Sequence, residues 1–308
     1  MSLESEDATG TWLATRGEIA RELAAAGIVT AEAESRFIVE EVSGYAAADW
    51  PGIADAVPSE RARGRLRIMV DRRIAGEPLQ YVLGSWSFRG IDLMVDKRVL
   101  IPRPETEQVV EVALEEAERR GLRRARRRHL ALVDAEPTSF VADLGTGSGA
   151  IALALDAELP DVAVWATDVS PAALDVARAN LAGCAATRVR LAAGSWFDAL
   201  PVELRGKLEV IVSNPPYVAE HEVEALPSEV SEYEPRGALV AGPTGDEVLE
   251  LLLANARDWL VEAGVLVCEL APRQADPMIA RALEIGYADA FVRADLAGRP
   301  RVLVARAG

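Results

Sequence analysis

The sequence predicts an α/β protein in which a doubly wound sheet, with helices on both faces, follows a small all-helical domain. Three observations carry that prediction. From Ser139 onward, short apolar runs alternate with stretches of helical length, the pattern of successive β-α-β units. Ahead of that region the apolar residues recur at helical spacing instead. Two turn-rich segments, Gly145-Thr146-Gly147-Ser148-Gly149 and Ser213-Asn214-Pro215-Pro216-Tyr217, each follow an apolar, strand-like run. In such sheets that is the end where ligands collect.

The elements follow in order. Arg16 to Ala26 reads as a helix stopped by Gly27, and Thr30 as the N-cap of a second helix that runs to Val42 and ends at Gly44. A third begins near Ser59, carries the stripe Leu66, Met69, Val70 and Ile74, and stops at Gly76-Glu77-Pro78. From Gln80 the period becomes two-fold: Trp86 and Phe88 alternate, Arg89-Gly90 turns, and Ile91, Leu93 and Val95 alternate again, a β-hairpin. The rigid segment Leu100 to Glu107, with prolines at 102 and 104, leads into a helix through Glu116. The division expected is therefore 1–79 helical, 80–104 hairpin linker and 105–308 sheet domain. In the last, strands are expected at 140–144, 162–166, 188–192, 208–212 and 265–270, with a closing hairpin of 288–292 and 302–305. Helices are expected at 150–158, 171–181, 245–261 and 277–285.

Composition narrows the function. At 308 residues there is room for two domains and a sizeable core. With 49 acidic and 33 basic residues the formal charge is −16, which argues against a broad nucleic-acid surface, since phosphate neutralisation needs clustered Lys and Arg. Arginines 119, 120, 123, 124, 126, 127 and 128 read as a solvated helix end rather than a binding patch. Cys184 and Cys268 stand in apolar contexts and read as free core thiols. With only His129 and His221, no metal site suggests itself. The first residues carry Glu4, Glu6 and Asp7 and no apolar run of signal-peptide length; a cytoplasmic monomer with no membrane partner is expected.

In the glycine segment, Gly145, Gly147 and Gly149 remove side chains from the turn between a strand and its helix, so a ligand can approach the backbone N–H groups. The spacing is close to, but not, that of dinucleotide-binding proteins, so a nicotinamide oxidoreductase is a rival. Asp168, ending the next strand, is placed for ribose hydroxyls in either case. Asp143 before the glycines and Asn-Pro-Pro-Tyr after the fourth strand favour S-adenosylmethionine. Asp143 then stands near the methionine end of the ligand or fastens the loop. Trp196, in a post-strand loop, flanks adenine or belongs to the core.

The proline segment suits a planar nitrogen nucleophile. Two prolines remove backbone donors and extend Asn214 and Pro215. The Asn214 side-chain oxygen and the Pro215 carbonyl can each accept one hydrogen of a substrate amide NH2, and Tyr217 supplies a flat wall. The plainer alternative is a stiff turn. An acidic stretch from Glu220 to Glu234 borders the site, as solvated loop or as docking surface for a basic partner.

Taken together, these residues resemble the bacterial peptide chain release factor glutamine methyltransferases. The resemblance rests on Glu77 to Gly84, Leu100 to Glu107, Asp143 to Ala150, Asp168, Val212 to Tyr217, Glu234-Pro235, and Asp295 to Gly298 with Arg301. It implies a seven-stranded class I methyltransferase domain after a hairpin linker and a helical domain, which docks the partner or is purely structural. The implied partner is a class 1 release factor, methylated on the glutamine of its Gly-Gly-Gln loop with S-adenosylhomocysteine as product and no direct nucleic-acid binding. It also implies cofactor contacts at Gly145, Thr146, Gly147, Ser148, Gly149, Asp168, Trp196 and Asn214. The glutamine would be gripped by Asn214, Pro215, Pro216 and Tyr217, with Leu100 lining the pocket. A ribosomal-protein glutamine methyltransferase is the nearest alternative, and an adenine-directed enzyme, which shares Asn-Pro-Pro-Tyr, a more distant one. The chain departs from the family pattern at Glu269-Leu270-Ala271 before Gln274, and at Ala241 to Asp246. Both departures are expected to lie outside the catalytic motif.

Overall fold

The structure, a computed structural model, describes residues 10–122 and 139–308. Two compact units divide these residues: those up to Ser85 together with Ser228–Tyr233, and Trp86–Pro227 together with Glu234–Gly308.

The first unit begins with α1 (Trp12–Ala25), α2 (Ala31–Ser43), α3 (Trp50–Ile53), α4 (Glu60–Ile74) and α5 (Leu79–Leu83). Thr11 and Ser59 cap α1 and α4, accepting the N–H groups of Ala14 and Ala62 at 3.2 Å. Thr30 holds the expected cap position of α2, but its hydroxyl donates to Glu34 Oε1 at 2.7 Å instead. Leu23, Ile38, Val39, Leu66 and Val70 make the core. The stripe expected on α4 ends differently. Ile74 is 40% exposed, and Arg73 takes the inward place at 5%, one helical period beyond Leu66 and Met69. Glu34 makes this possible, accepting Arg73 Nε at 2.6 Å, while Glu229 of the Ser228–Tyr233 segment accepts Nη2 at 2.7 Å.

The division between units falls after Ser85 rather than at residue 79. Leu79 and Val82 of α5 pack into the helical core, whereas Phe88 and Leu93, from β1 (Ser85–Phe88) and β2 (Ile91–Met94), are buried in the core of the second unit. Side-chain burial thus divides the stretch expected to be a linker.

The second unit continues through α6 (Pro104–Arg119), β3 (Ser139–Leu144), α7 (Ala150–Glu158), β4 (Val162–Asp168), α8 (Pro171–Gly183), β5 (Val189–Ala193), β6 (Leu208–Ser213) and β7 (Val218–Ala219). After α9 (Ser228–Tyr233), which belongs to the first unit, come α10 (Arg236–Leu239), β8 (Val240–Gly242), α11 (Glu247–Ala256), β9 (Leu260–Glu269), α12 (Ala275–Glu284), β10 (Asp289–Ala294) and β11 (Pro300–Arg306). A seven-stranded sheet has the order β10-β11-β9-β6-β3-β4-β5. Neighbours are parallel from β9 to β5, and β11 is antiparallel to both β9 and β10. The chain first winds from β3 outward to β5, then returns across β3 to β6. The two motifs therefore leave adjacent strands at the point where the winding reverses, the usual ligand crevice of such sheets. Alternate residues face opposite layers: Val141, Val210 and Val265 join one core, and Ala142, Ile211 and Leu266 the other.

Cys268 is buried as expected, but Cys184 is exposed at the end of α8, where the chain has already left the core. The helix expected over 245–261 spans only Glu247–Ala256. Gly245 sits at φ +88° with room for no Cβ, which would come within 2.7 Å of the Tyr217 carbonyl oxygen, and β9 already begins at Leu260. Of the arginine run, only Arg119 and Arg120 lie among the described residues. Arg119 is solvated, but Arg120 is mostly buried and donates from Nε to Glu209 Oε2 at 2.7 Å. Among the described residues no helix is long and apolar enough to cross a membrane.

Candidate active site

A cavity of about 320 Å³ opens at the carboxyl ends of β3, β4, β5 and β6. Ser213 fixes the spacing of its central strands, its hydroxyl donating to the Leu144 carbonyl at 2.6 Å. On the cavity wall stand Leu100, Gly145, Gly147, Asp168, Trp196, Asn214 and Pro216, all singled out in the sequence, with Val99, Val169 and Pro235 beside them. Asp143, Thr146, Ser148, Gly149, Pro215 and Tyr217 are not on that wall.

The glycine loop is fastened from beneath. Asp143 is fully buried; its Oδ2 accepts the Thr146 hydroxyl at 2.6 Å and the Ala152 N–H at 3.1 Å, the arrangement of a loop fastener. Burial pushes its carboxyl up from 3.8 to about 7, and the nearby Asp168 charge adds to the rise. Gly145 has φ +77°, and a Cβ there would stand 3.3 Å from the Trp196 ring, so the loop and the tryptophan meet only because this residue has no side chain. Trp196 itself is held at φ +48°, an unusual conformation for a bulky residue. Asp168 accepts the Gly147 N–H at 2.9 Å on Oδ2 and the Ser170 N–H at 2.8 Å on Oδ1. Each oxygen retains a lone pair for a ligand hydroxyl. Asn180, which sequence reasoning passed over, ties the loop to the hairpin: Nδ2 donates to the Ser148 and Met94 carbonyls at 2.8 and 3.0 Å, and Oδ1 accepts the Met94 N–H at 2.7 Å.

The proline segment is braced by two distant residues, Thr106 and Glu269. Asn214 Nδ2 donates to Thr106 Oγ1 at 3.1 Å, the Thr106 hydroxyl donates to Glu269 Oε2 at 2.7 Å, and the Tyr217 hydroxyl donates to Glu269 Oε1 at 3.2 Å. Thr106 and Glu269 are 3% and 1% exposed. Burial pushes the Glu269 carboxyl up, against the pull of the Thr106 hydroxyl and the Arg301 charge. Burial, with the Glu269 charge next, also raises the Tyr217 hydroxyl. Glu269, outside the Asn-Pro-Pro-Tyr motif in sequence, is thus joined to it through Thr106 and Tyr217. Leu100 is held by the buried Glu234, which accepts the Ile101 N–H at 3.3 Å and pairs with Arg103; the Leu100–Glu107 and Glu234-Pro235 blocks are thus two halves of one contact. Gln274 clamps the other divergent loop, donating to the Gly245 carbonyl at 2.8 Å and to Asp246 Oδ1 at 2.7 Å. Among the described residues no group of three or more His, Cys, Asp or Glu side chains is placed to hold a metal ion.

A reversed-winding sheet of this strand order, with a glycine loop on its first parallel strand and an acceptor carboxylate on the next, defines a class I S-adenosylmethionine-dependent methyltransferase. Residues 127–229 match the Methyltransferase small domain, and residues 16–84 match the PrmC N-terminal domain. A Moorella thermoacetica protein named release factor glutamine methyltransferase is 38% identical over 94% of this chain and 96% of its own. One of the same name from Deinococcus radiodurans is 37% identical over 92% and 94%. Of solved structures, the hMettl16 catalytic domain shares the fold, with a TM-score of 0.50 and 16% identity over 81% of this chain and 82% of that one. The chain belongs to the family of release factor glutamine methyltransferases.

Proposed function

We propose that this protein methylates the side-chain amide nitrogen of the glutamine in the Gly-Gly-Gln motif of class 1 peptide chain release factors. The observation that carries the reading is Asn214. Its amide lines the cavity, and its NH2 is occupied by Thr106, so its carbonyl oxygen is left to accept from a substrate amide. The cavity fits S-adenosylmethionine: the wall is bare of side chains at Gly145 and Gly147, and the Asp168 carboxylate is oriented as a hydroxyl acceptor. When bound, the cofactor supplies an electrophilic methyl group on sulfur. Gly145, Gly147, Asp168 and Trp196 would hold it, with Asp143, Thr146, Ser148 and Gly149 shaping the loop.

The substrate nitrogen is a poor nucleophile because its lone pair is delocalised into the amide. Asn214, with the Pro215 carbonyl, would take its two hydrogens, aim the lone pair and stabilise the positive charge that develops as methylation proceeds. The proton then leaves to water, so the residues need supply no strong base. Pro216 and Leu100 line the apolar approach. Tyr217 would supply its ring as a flat wall, with its hydroxyl fixed on Glu269. Residues 16–84, matched by the PrmC N-terminal domain, are assigned to docking the factor outside its glutamine. A release-factor substrate puts the reaction in the cytoplasm.

The test is transfer of labelled methyl from S-adenosylmethionine to a purified class 1 release factor, run beside a factor whose motif glutamine is alanine. Label on the first alone supports the reading. Label on neither, with S-adenosylhomocysteine still bound, refutes the substrate. Asn214→Ala is expected to lower kcat by about 10²-fold.

A further inference from the structure

Thr106 and Glu269 are buried, polar and joined to Asn214, yet neither lines the cavity. A threonine hydroxyl has one hydrogen. In the 2.7 Å contact the Thr106 hydroxyl donates to Glu269 Oε2, which consumes that hydrogen. Thr106 Oγ1 can then meet Asn214 only as an acceptor, and the 3.1 Å contact requires Asn214 to present its NH2. The far end is anchored too: Tyr217 donates to the other Glu269 oxygen at 3.2 Å.

We infer that Thr106, its hydroxyl direction set by Glu269, is a positioning residue that fixes which end of the Asn214 amide faces the reacting nitrogen. The inference rests on the glutamine-methylation reading. Asparagine oxygen and nitrogen are nearly equal in shape, so packing alone does not distinguish the two orientations of the amide. Turned over, Asn214 would set an NH2 against the substrate NH2, donor against donor. A substrate nitrogen so opposed is neither aimed nor stabilised. The relay joins α6, β9 and the loop after β6 through side chains 108 and 163 residues apart in sequence, and almost no surface of Thr106 or Glu269 is open to water that might substitute for it.

The experiment compares Thr106→Val, which keeps the shape and removes the hydroxyl, with Thr106→Ser, which keeps the hydroxyl, on full-length protein and release factor. Thr106→Val is expected to lose about 10²-fold in kcat, with KM for the factor and the rise in Tm on adding S-adenosylhomocysteine both retained; Thr106→Ser recovers kcat to within about threefold of wild type. A merely structural role would instead lower Tm and cofactor binding, and would not divide the two variants by kcat alone. If Thr106→Val shows no cofactor-dependent rise in Tm, Thr106→Ala replaces it in the same comparison. Glu269→Gln, which can turn either its oxygen or its NH2 to Thr106, is expected to lose about tenfold in kcat at unchanged KM. Wild-type kcat in Thr106→Val, or equal losses in the valine and serine variants, overturns the inference; unchanged kcat in Glu269→Gln overturns the part given to Glu269. Failure of wild type itself to label the factor overturns the functional reading instead.

Discussion

Asp143→Asn should make the methyltransferase unit less sensitive to pH, and the size of the effect can be worked from the site. The carboxyl is fully buried, with Oδ2 accepting from Thr146 and Ala152 and Oδ1 without a hydrogen-bond partner. Burial raises it from 3.8 to about 7. Between those values the folded protein keeps a proton that the unfolded chain has released, so stability falls as pH rises, by about 1.4 kcal/mol per pH unit. The contribution is complete below 3.8 and gone above about 7, a total of about 4 kcal/mol. An asparagine oxygen can take both existing hydrogen bonds, and asparagine does not titrate. Between pH 5 and pH 8 the wild type should therefore lose about 3 kcal/mol relative to the variant; all other titrations are common to both and cancel. Urea unfolding at each pH measures this through the fluorescence of Trp86, Trp165, Trp196 and Trp259, all in the second unit. Parallel pH profiles would refute the reasoning, because they would mean that Asp143 is charged in the fold throughout.

Two further substitutions test the frame around the site. Gly145→Ala places a Cβ 3.3 Å from Trp196 at φ +77° and is expected to cost about 1–2 kcal/mol in stability. It should also weaken S-adenosylhomocysteine binding about tenfold, as the tryptophan gives way; calorimetric titration giving the wild-type Kd would exclude the close packing of loop on ring. Arg73→Met leaves Glu34 buried without its partner and should destabilise the helical unit by about 3–5 kcal/mol. Adding Glu34→Gln should recover much of that loss, and a single-variant loss below about 1 kcal/mol in urea would show the pair to be solvated.

What the sequence makes legible is whatever depends on neighbours along the chain. The period of apolar residues locates the parallel strands, and the two turn-rich segments fall beside one another because their strands are adjacent at the reversal in winding. Local pattern fails where a polar residue takes a core position. On α4 the eye follows Ile74 as the next apolar residue, but Arg73 turns inward because Glu34 and Glu229 can neutralise it, and neither partner is near it in sequence. The same limit hides Thr106, Glu269 and Asn180. Each is an ordinary polar residue until the fold gives it a partner 32 to 163 residues away. For Tyr217, visible in its motif, local reading misses the hydroxyl's bond to Glu269, 52 residues away.

The distinction bears on how the reaction is supported. Groups that touch the cavity are small, rigid or apolar at Gly145, Gly147, Pro216 and Leu100; Arg98, Ser170 and Ser195 are polar, and the two exceptions assigned a ligand are Asn214 and Asp168. Both exceptions are held by hydrogen bonds that fix their acceptor faces: Asp168 by Gly147 and Ser170, Asn214 by Thr106. A methyl transfer that asks its protein for placement rather than for a base needs acceptors that do not move. In the proposed reading, the buried Thr106–Glu269–Tyr217 chain would supply that on the substrate side and the Asp143–Thr146 fastening on the cofactor side. Substitution within either should therefore slow turnover without adding or removing any group that meets a ligand.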